Sequence, residues 1–268
     1  MAEKKNRKNE LNSDIPCVRL LNICIHPLTV PELHSYIGHA VTEGQKKIIL
    51  NTNVHCYNLA YKHPWLQDFL NSADITFCDG AGVVLGAKLL GYKIPGRITY
   101  ADWIWELATF ASENDFSFFF LGAKPGVAEK AAQKVTDHFP KLKITTHHGY
   151  FDMAREAKEN LEVIEYINTT KPNILILGFG MPLQERWLQE NWTKLEVNIA
   201  LTGGAVFDYV SGELRRGPRW MTDNGMEWLA RLLIEPKRLW KRYLFGNLFF
   251  FYLIFKERLK KKKYLDNE

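Results

Sequence analysis

Several features that would place this 268-residue chain in a simple class are absent from its sequence. Its four cysteines form no CxxC pair and stand near no His-rich segment of metal-ligand spacing. This argues against a zinc site or a disulfide framework, and we expect reduced thiols. The first 14 residues lack the apolar stretch of a signal peptide, and we expect a disordered lead-in there.

Three catalytic signatures are also missing or incomplete. No serine lies in a G-x-S-x-G elbow, so acyl-transfer hydrolysis has no support. No Asp-x-Asp pair of the kind that binds a metal ion through a diphosphate is present, and we expect neither a metal nor a cofactor. Gly178-x-Gly180 lacks the third glycine of a dinucleotide fingerprint, which leaves a plain turn or a phosphate site.

What the sequence does contain is an alternation of short apolar runs and amphipathic helical stretches. Strands are predicted at 47–50, 75–78, 117–121, 144–147, 173–178 and 197–202, and helices at 101–112, 126–139, 154–169 and 183–192. Doubly apolar strands separated by helices predict a Rossmann-like α/β fold, with a mostly parallel sheet and helices on both faces. We expect the α/β domain to span 15–214.

The residues that follow the predicted strands are small and polar. They include Asn51-Thr52-Asn53, Asp79-Gly80-Ala81-Gly82, Gly122-Ala123-Lys124, Gly178-Phe179-Gly180 and Gly203-Gly204. In a parallel sheet these strand ends meet at one edge, where glycine lets the backbone approach a ligand and helix N-termini offer N–H groups to phosphate. Five such loops predict a site for a nucleotide-type ligand.

Two sets of side chains near these ends have more than one interpretation. Asp79 is either the N-cap of the next helix or a general base beside the ligand, and the crowding of site-like loops favours the base. His147 and His148 end a strand and could touch a ligand, although exposed loop histidines are commoner.

The C-terminal region, residues 215–268, differs in kind from the rest. Residues 215–263 hold fourteen Lys or Arg against four Asp or Glu, so this segment carries +10 and the remainder −5 of the net +5. We expect one helix at 224–234 and a second from Pro236, with an aromatic run at 248–255 too short to span a bilayer. A solvated basic face and a nucleic-acid surface are the alternatives, but bulky apolar residues among the cations favour an appendage lying on a membrane.

Several motifs together resemble a known family. They are the Asn51-Thr52-Asn53 strand end, CDGAGVVL (78–85), FLGAKPGVAEKAA (120–132), GFGMPLQERW (178–187), TGGAVFDYVSG (202–212), RGPRW (216–220) and GMEWLARLLIEPKRLWKRY (225–243). In this order the set is similar to the WecG/TagA/CpsF glycosyltransferases, over about residues 17–245.

The resemblance implies an activity and partners. Members transfer a sugar, often N-acetylmannosamine or its uronic acid, from a UDP-sugar to a sugar on a polyprenyl diphosphate. The mechanism is inverting and metal-independent, and the products are cell-surface polysaccharides. We therefore expect a cytoplasmic protein that is peripherally bound to the inner face of the membrane, with no nucleic-acid partner. Soluble forms of the family can be homo-oligomers with the appendage displaced.

The resemblance also implies roles for single residues. Asp79 is the expected base, Thr52 and Asn53 belong to the pocket strand end, and Gln184 matches the glutamine of G-x-G-x-P-x-Q-E. The cations expected at the substrate are Arg97, Arg231, Arg238 and Lys241. At the last position the family has arginine, and lysine cannot form its bidentate fork. The alternatives are a nicotinamide-dependent oxidoreductase and a non-catalytic membrane scaffold.

Overall fold

The computed structural model describes residues 15–265, with side chains described as far as Lys262. The expected disordered lead-in lies outside these residues. An antiparallel hairpin of β1 (Val18–Leu20) and β2 (Ile23–Ile25) comes first. A parallel sheet in the order β4-β3-β8-β7-β5-β6 follows. Its strands are β3 (Lys47–Thr52), β4 (Ile75–Cys78), β5 (Phe118–Gly122), β6 (Ile144–His147), β7 (Ile174–Gly178) and β8 (Ile199–Thr202).

Helices connect these strands and complete the chain. They are α1 (Val30–Thr42), α2 (Val54–Lys62), α3 (Pro64–Ser72), α4 (Ala81–Leu89), α5 (Tyr100–Glu113), α6 (Val127–His138), α7 (Lys158–Thr170), α8 (Leu183–Asn191), α9 (Val206–Ser211), α10 (Arg219–Asp223), α11 (Glu227–Ile234) and α12 (Pro236–Leu265).

The sheet is covered by helices on both faces, and its strands show why. In β5, Phe119 and Leu121 point into one apolar cluster while Phe118 and Phe120 point into the other, as the pleat requires. One cluster includes residues of α2, α3, α4, α7, α8 and α12, and the other includes residues of α1, α5, α6 and α9. The predicted α/β class is confirmed, and the strand bounds agree with the prediction to within two residues.

The helix expected at 154–169 starts later, at Lys158. The residues before it form a turn closed by side chains: Asp152 Oδ1 accepts from the Ala154 N–H at 3.0 Å, and Glu159 Oε2 accepts from the Asp152 N–H at 2.6 Å. Local side-chain bonds of this kind compete with helix formation, which explains the later start.

The expectation of four reduced cysteines was wrong for two of them. Cys17 and Cys24 form a disulfide beside the β1–β2 hairpin, with their Cα atoms 5.5 Å apart. The hairpin brings them to a separation that suits a disulfide, although the sequence pattern gave no pair motif. Cys56 and Cys78 are free and buried.

The C-terminal segment (residues 215–265) packs its last helix onto the sheet domain. Phe250 and Ile254 of α12 are buried in the core, where a Cβ added to Gly86 of α4 would lie 2.9 Å from the Phe250 ring. The glycine therefore makes room for the aromatic ring. Part of the run at 248–255 is thus core, contrary to the expectation that this part of the appendage lies on a membrane. The domain boundary at residue 214 stays a prediction.

Candidate active site

The carboxyl ends of the parallel strands meet around a cavity of about 700 Å³. The prediction that these loops converge is confirmed, because the cavity is lined from five strand ends by Asn51, Asn53, Asp79, Lys124, Gly178, Gly180, Gly203 and Gly204. Ligands of open α/β sheets collect at this place in the fold.

Asp79 is fixed at this edge by its neighbours on the strands. Its N–H donates to the Thr52 carbonyl at 2.9 Å, and its Oδ2 accepts from Asn51 Nδ2 at 3.0 Å. Asn51 is held in turn by Thr202, whose Oγ1 donates to Asn51 Oδ1 at 3.1 Å. Helix α4 starts after Gly80 and has no side-chain cap, so the alternative role of Asp79 as a helix cap is not observed.

The electrostatic setting of Asp79 favours the protonated carboxyl. Its pKa is raised to about 7, first by burial and next by the nearby Glu227 carboxylate, while the Asn51 hydrogen bond and the Arg97 charge act in the opposite direction. A carboxylate with such a pKa can accept a proton near neutral pH.

Gln184 connects two of the glycine loops through hydrogen bonds. Its Oε1 accepts from the Gly180 N–H and from the Gly204 N–H, each at 3.1 Å, and its Nε2 donates to Glu185 Oε1 at 2.8 Å. The side chain is fully buried although it borders the cavity. It therefore shapes the ends of β7 and β8.

Thr52 and Asn53 lie at the same strand end but in different surroundings. Thr52 is fully buried, and its Oγ1 donates to the Phe77 carbonyl at 3.2 Å. Asn53 borders the cavity and caps helix α2, because its Oδ1 accepts from the Cys56 N–H at 3.1 Å.

Three arginines of the C-terminal segment face the cavity. They are Arg231, Arg238 and Arg242, whereas Lys241, a further cation expected at the substrate, is exposed, with its Nζ 5.5 Å from the centroid of the Trp240 ring. Neighbouring residues of a helix point about 100° apart, so the docking of α12 decides which of the two faces the site. Burial lowers the pKa of Arg242.

Glu235 is the counter-ion of two of these arginines. Its carboxylate lies 2.8 Å from Arg238 Nε and 3.7 Å from Arg231 Nη2. The cavity wall thus brings three arginines together with carboxylates, of which Glu235 lies closest to Arg238 and Arg231.

A second cavity, of about 660 Å³, adjoins the first. Both are lined by Asn53, His55, Asp79, Thr99, Glu227, Arg231 and Arg242. The rest of the second wall is largely apolar, with Val54, Leu85, Trp228, Tyr243, Leu244, Leu248 and Phe251. Asp79 lies on the wall between a polar and an apolar space.

Sequence reasoning missed two residues at this junction, His55 and Glu227. His55 stands two positions after Asn53, so the strand-end motif was an available signal, and Glu227 lies within the GMEWL segment. Burial, with help from Arg242 and Lys62, lowers the pKa of His55 to about 4, so its ring is neutral at neutral pH.

The remaining sequence candidates lie elsewhere. Arg97 borders only the second cavity and pairs with Glu227 at 3.0 Å. His147 and His148 line a separate hollow of about 320 Å³ beside α7. Among residues 15–262 they are not part of the wall around Asp79.

A parallel α/β sheet with a buried carboxyl of raised pKa and an arginine cluster at its strand ends is typical of an enzyme site that takes an anionic ligand. The family model described as "Glycosyl transferase WecG/TagA/CpsF family" matches residues 18–264. The chain belongs to this family and is a glycosyltransferase.

Curated relatives agree with this assignment. An N-acetylglucosaminyldiphosphoundecaprenol N-acetyl-beta-D-mannosaminyltransferase of Staphylococcus aureus (strain NCTC 8325 / PS 47) is 29% identical over 215 residues, which cover 80% of this chain and 82% of the relative. The protein of the same name from strain MW2 is 28% identical over 215 residues, which again cover 80% of this chain and 82% of the relative. Membership favours the glycosyltransferase over the oxidoreductase and the scaffold that the sequence left as alternatives.

Proposed function

We propose that this enzyme moves a sugar of the N-acetylmannosamine type from a UDP-sugar to a sugar linked to a polyprenyl diphosphate. The names of its relatives support the transferred sugar and the lipid-linked acceptor. The observation that carries the proposal is the position of Asp79 on the wall shared by the polar and the apolar cavity.

The polar cavity suits the nucleotide-sugar donor. Its glycine loops bring backbone to the ligand, and the arginines of α11 and α12 face the place where a diphosphate would lie. Guanidinium groups neutralise the charge that develops on a departing diphosphate, as a metal ion does in other transferases. This arrangement supports the proposal of a metal-independent reaction.

Asp79 acts as the general base in this proposal. Its carboxylate takes the proton of an acceptor hydroxyl while that oxygen forms a bond to the anomeric carbon. The bond between the anomeric carbon and the β-phosphate oxygen breaks at the same time, and UDP leaves with the electron pair. A single displacement inverts the anomeric configuration.

The apolar cavity suits the lipid end of the acceptor. Two of its lining residues, Leu244 and Leu248, belong to a line of exposed apolar side chains on α12 that continues through Tyr252, Phe255 and Leu259. We call Leu244, Leu248, Tyr252, Phe255 and Leu259 the α12 stripe. The exposed cations Lys256, Arg258, Lys260 and Lys262 follow it, as expected for a helix lying on an anionic bilayer.

No helix among residues 15–265 is long and apolar enough to cross a membrane. The α12 stripe and the exposed cations near it support our proposal that the enzyme lies peripherally at the inner face of the membrane, with the stripe in contact with lipid.

The test is a UDP-release assay with a panel of UDP-sugars and a short-chain polyprenyl-diphosphate-linked N-acetylglucosamine acceptor. We expect release with UDP-N-acetylmannosamine, and a loss of about 10²–10⁴-fold in Asp79→Asn, with UDP affinity retained in calorimetry. Normal turnover by Asp79→Asn would refute the base, and no UDP release with any donor would refute the function.

A further inference from the structure

Arg97 is held in place by contacts with two parts of the molecule. The N–H of the next residue, Ile98, donates to the Cys78 carbonyl at 2.7 Å, which ties this loop to the end of β4 beside Asp79. The guanidinium points to the C-terminal segment, where Nη1 lies 3.0 Å from Glu227 Oε2 and Nη2 donates to the Thr222 carbonyl. With these partners, Arg97 is not a free cation available to substrate.

The ion pair between Arg97 and Glu227 is shielded from solvent. Their side chains are only 19% and 16% exposed, respectively, whereas ion pairs on the surface of this protein, such as Lys158–Glu162, are 88% and 59% exposed. A shielded pair is screened less by salt and has a stronger influence on nearby charges. Glu227 is the first residue of helix α11. Like Asp79, it lines both cavities.

A second contact joins the same two regions. Gly225, just before α11, has a φ of +76°, and a Cβ added there would lie 3.0 Å from the Cβ of Ala81, the first residue of α4 and two positions after Asp79. A side chain at position 225 would be strained in this backbone conformation and would push the two segments apart. Helix α11 and the turn before it therefore come close, at two points, to the chain on either side of Asp79. We call this stretch, residues 78–81, the Asp79 loop.

We propose that Arg97 and Glu227 form a positioning pair that joins α11 to the Asp79 loop and sets the charge around Asp79. This inference rests on the proposed function of Asp79 as base. Arg97 acts in it through Glu227 and Asp79, in contrast to the substrate contact expected from the sequence.

Other charged and titratable groups also lie around Asp79, and they belong to several elements. Within the described residues they are Cys78, His55 on α2, Arg97, Tyr100 on α5, Asp208 and Tyr209 on α9, Glu227 and Arg231 on α11, and Arg242 on α12, while Lys124, Tyr150, Glu213, Glu235 and Arg238 also line the first cavity. Among the carboxylates of this set, Glu227 is the one that raises the pKa of Asp79. It opposes the arginines, whose charges alone would favour ionised Asp79.

The two members of the pair have opposite effects on Asp79. The Glu227 carboxylate raises the pKa of Asp79, and the Arg97 guanidinium lowers it. Glu227→Gln removes a negative charge and leaves the Arg97 guanidinium without its carboxylate partner, so both changes move the pKa of Asp79 down. Arg97→Gln removes a positive charge and moves it up. A purely structural role gives no such opposition of sign.

The experiment is a titration of the Asp79 carboxyl carbon by NMR in ¹³C-aspartate-labelled enzyme, with the signal assigned by its absence in Asp79→Asn. We expect a pKa lowered by about one unit in Glu227→Gln and raised by about one unit in Arg97→Gln. Arg97→Lys keeps the charge and is expected to stay close to the native value. The acidic limb of kcat/KM should move in the same directions.

Glu162→Gln is the matched control, because it removes the carboxylate of an exposed ion pair on α7. It is expected to leave the titration and the activity unchanged. The proposal would be overturned if the pKa of Asp79 moved equally and in the same direction in Glu227→Gln and Arg97→Gln, or if it moved in neither. If Glu227→Gln does not fold, the pKa of Asp79 in Arg97→Gln is compared with its pKa in Arg97→Lys. An unchanged pKa in Arg97→Gln would contradict the proposed pair.

A rival role for Arg97 as a substrate ligand has a different signature. In that case both Arg97→Gln and Arg97→Lys raise KM for one substrate, whereas a positioning role leaves KM close to its native value in Arg97→Lys. The titration also needs no substrate, so it is separate from the test of the proposed function. An active Asp79→Asn would refute the base while the NMR data would still report on the pair.

Discussion

At the scale of single residues, two carboxyl groups at or near the site are buried, and the loss of hydration disfavours their ionised forms. The pKa of Asp79 is raised to about 7, and burial raises the pKa of Glu185 to about 7 as well. A carboxyl whose pKa is higher in the folded than in the unfolded chain favours folding at low pH. This contribution is lost as the pH rises through the folded pKa.

We predict that Asp79→Asn makes the protein more stable than the native form at pH 8 and that the difference shrinks toward pH 4. The native carboxyl stays protonated up to about pH 7, while an unfolded aspartate ionises from about pH 3.8. Between these values the folded state binds more protons, so raising the pH disfavours it. Asparagine does not titrate, so the variant lacks this pH-dependent contribution to stability.

Urea unfolding at several pH values measures this difference. Asp68→Asn is the matched control, since it removes a carboxylate from an exposed position on α3. A constant difference between Asp79→Asn and the native form from pH 4 to pH 8 would show that Asp79 is not perturbed by folding.

The sequence indicated which residue types would reach the site better than it indicated their contacts. Asp79 follows a strand within a glycine-rich loop, and that signal is local. The choice between Lys241 and Arg242 depends on how α12 docks, which no local pattern contains. Gln184 was expected to bind substrate, and its hydrogen bonds to two glycine loops arise only when β7 and β8 pair.

At the scale of secondary-structure elements, α12 belongs to the core on one side and faces outward on the other. Phe250 is fully buried against Tyr57, with ring centroids 5.3 Å apart, while Phe255 is 60% exposed. The two phenylalanines are in one helix but have opposite environments.

We predict that Phe250→Ala lowers the free energy of unfolding by about 3–5 kcal/mol, because it leaves a cavity next to α2 and α4. Phe255→Ala is the control in the same helix and should change it by about 0.5 kcal/mol or less. Chemical denaturation measures both. Equal losses in the two variants would contradict the docking of α12 described above.

Most strands were predictable because apolar residues on both faces of a parallel sheet give short continuous apolar runs. The β1–β2 hairpin was not predicted, since its strands have three residues each and its disulfide joins cysteines without a pair motif. The aromatic run at 248–255 was interpreted as one unit, because composition alone does not separate the two faces of a docked helix.

At the scale of the whole molecule, the α12 stripe and the basic residues after it form one outer surface. Large exposed apolar surfaces rimmed by charge mark contact with another molecule or with a membrane. The second cavity could not be predicted from the sequence, because its walls come from α4, α11 and α12 and exist only after these helices pack.

We predict that the enzyme sediments with vesicles that contain anionic lipid and that Leu248→Ser with Phe255→Ser weakens this binding. Raising the salt concentration should weaken it further, since the cations of α12 contribute electrostatically. Leu161→Ser and Tyr166→Ser are the controls, as exposed apolar residues on α7. Unchanged sedimentation of the α12 variant would argue against the stripe as the lipid contact.

The apolar cavity shares Leu244 and Leu248 with the stripe, so its wall is continuous with the outer surface. If that surface rests on lipid as proposed, an acceptor could reach Asp79 without its chain passing through water. Its search for the enzyme would then be confined to a plane. The reaction rate would follow the number of acceptor molecules per unit of membrane area, and adding empty bilayer to a fixed amount of acceptor would slow the enzyme.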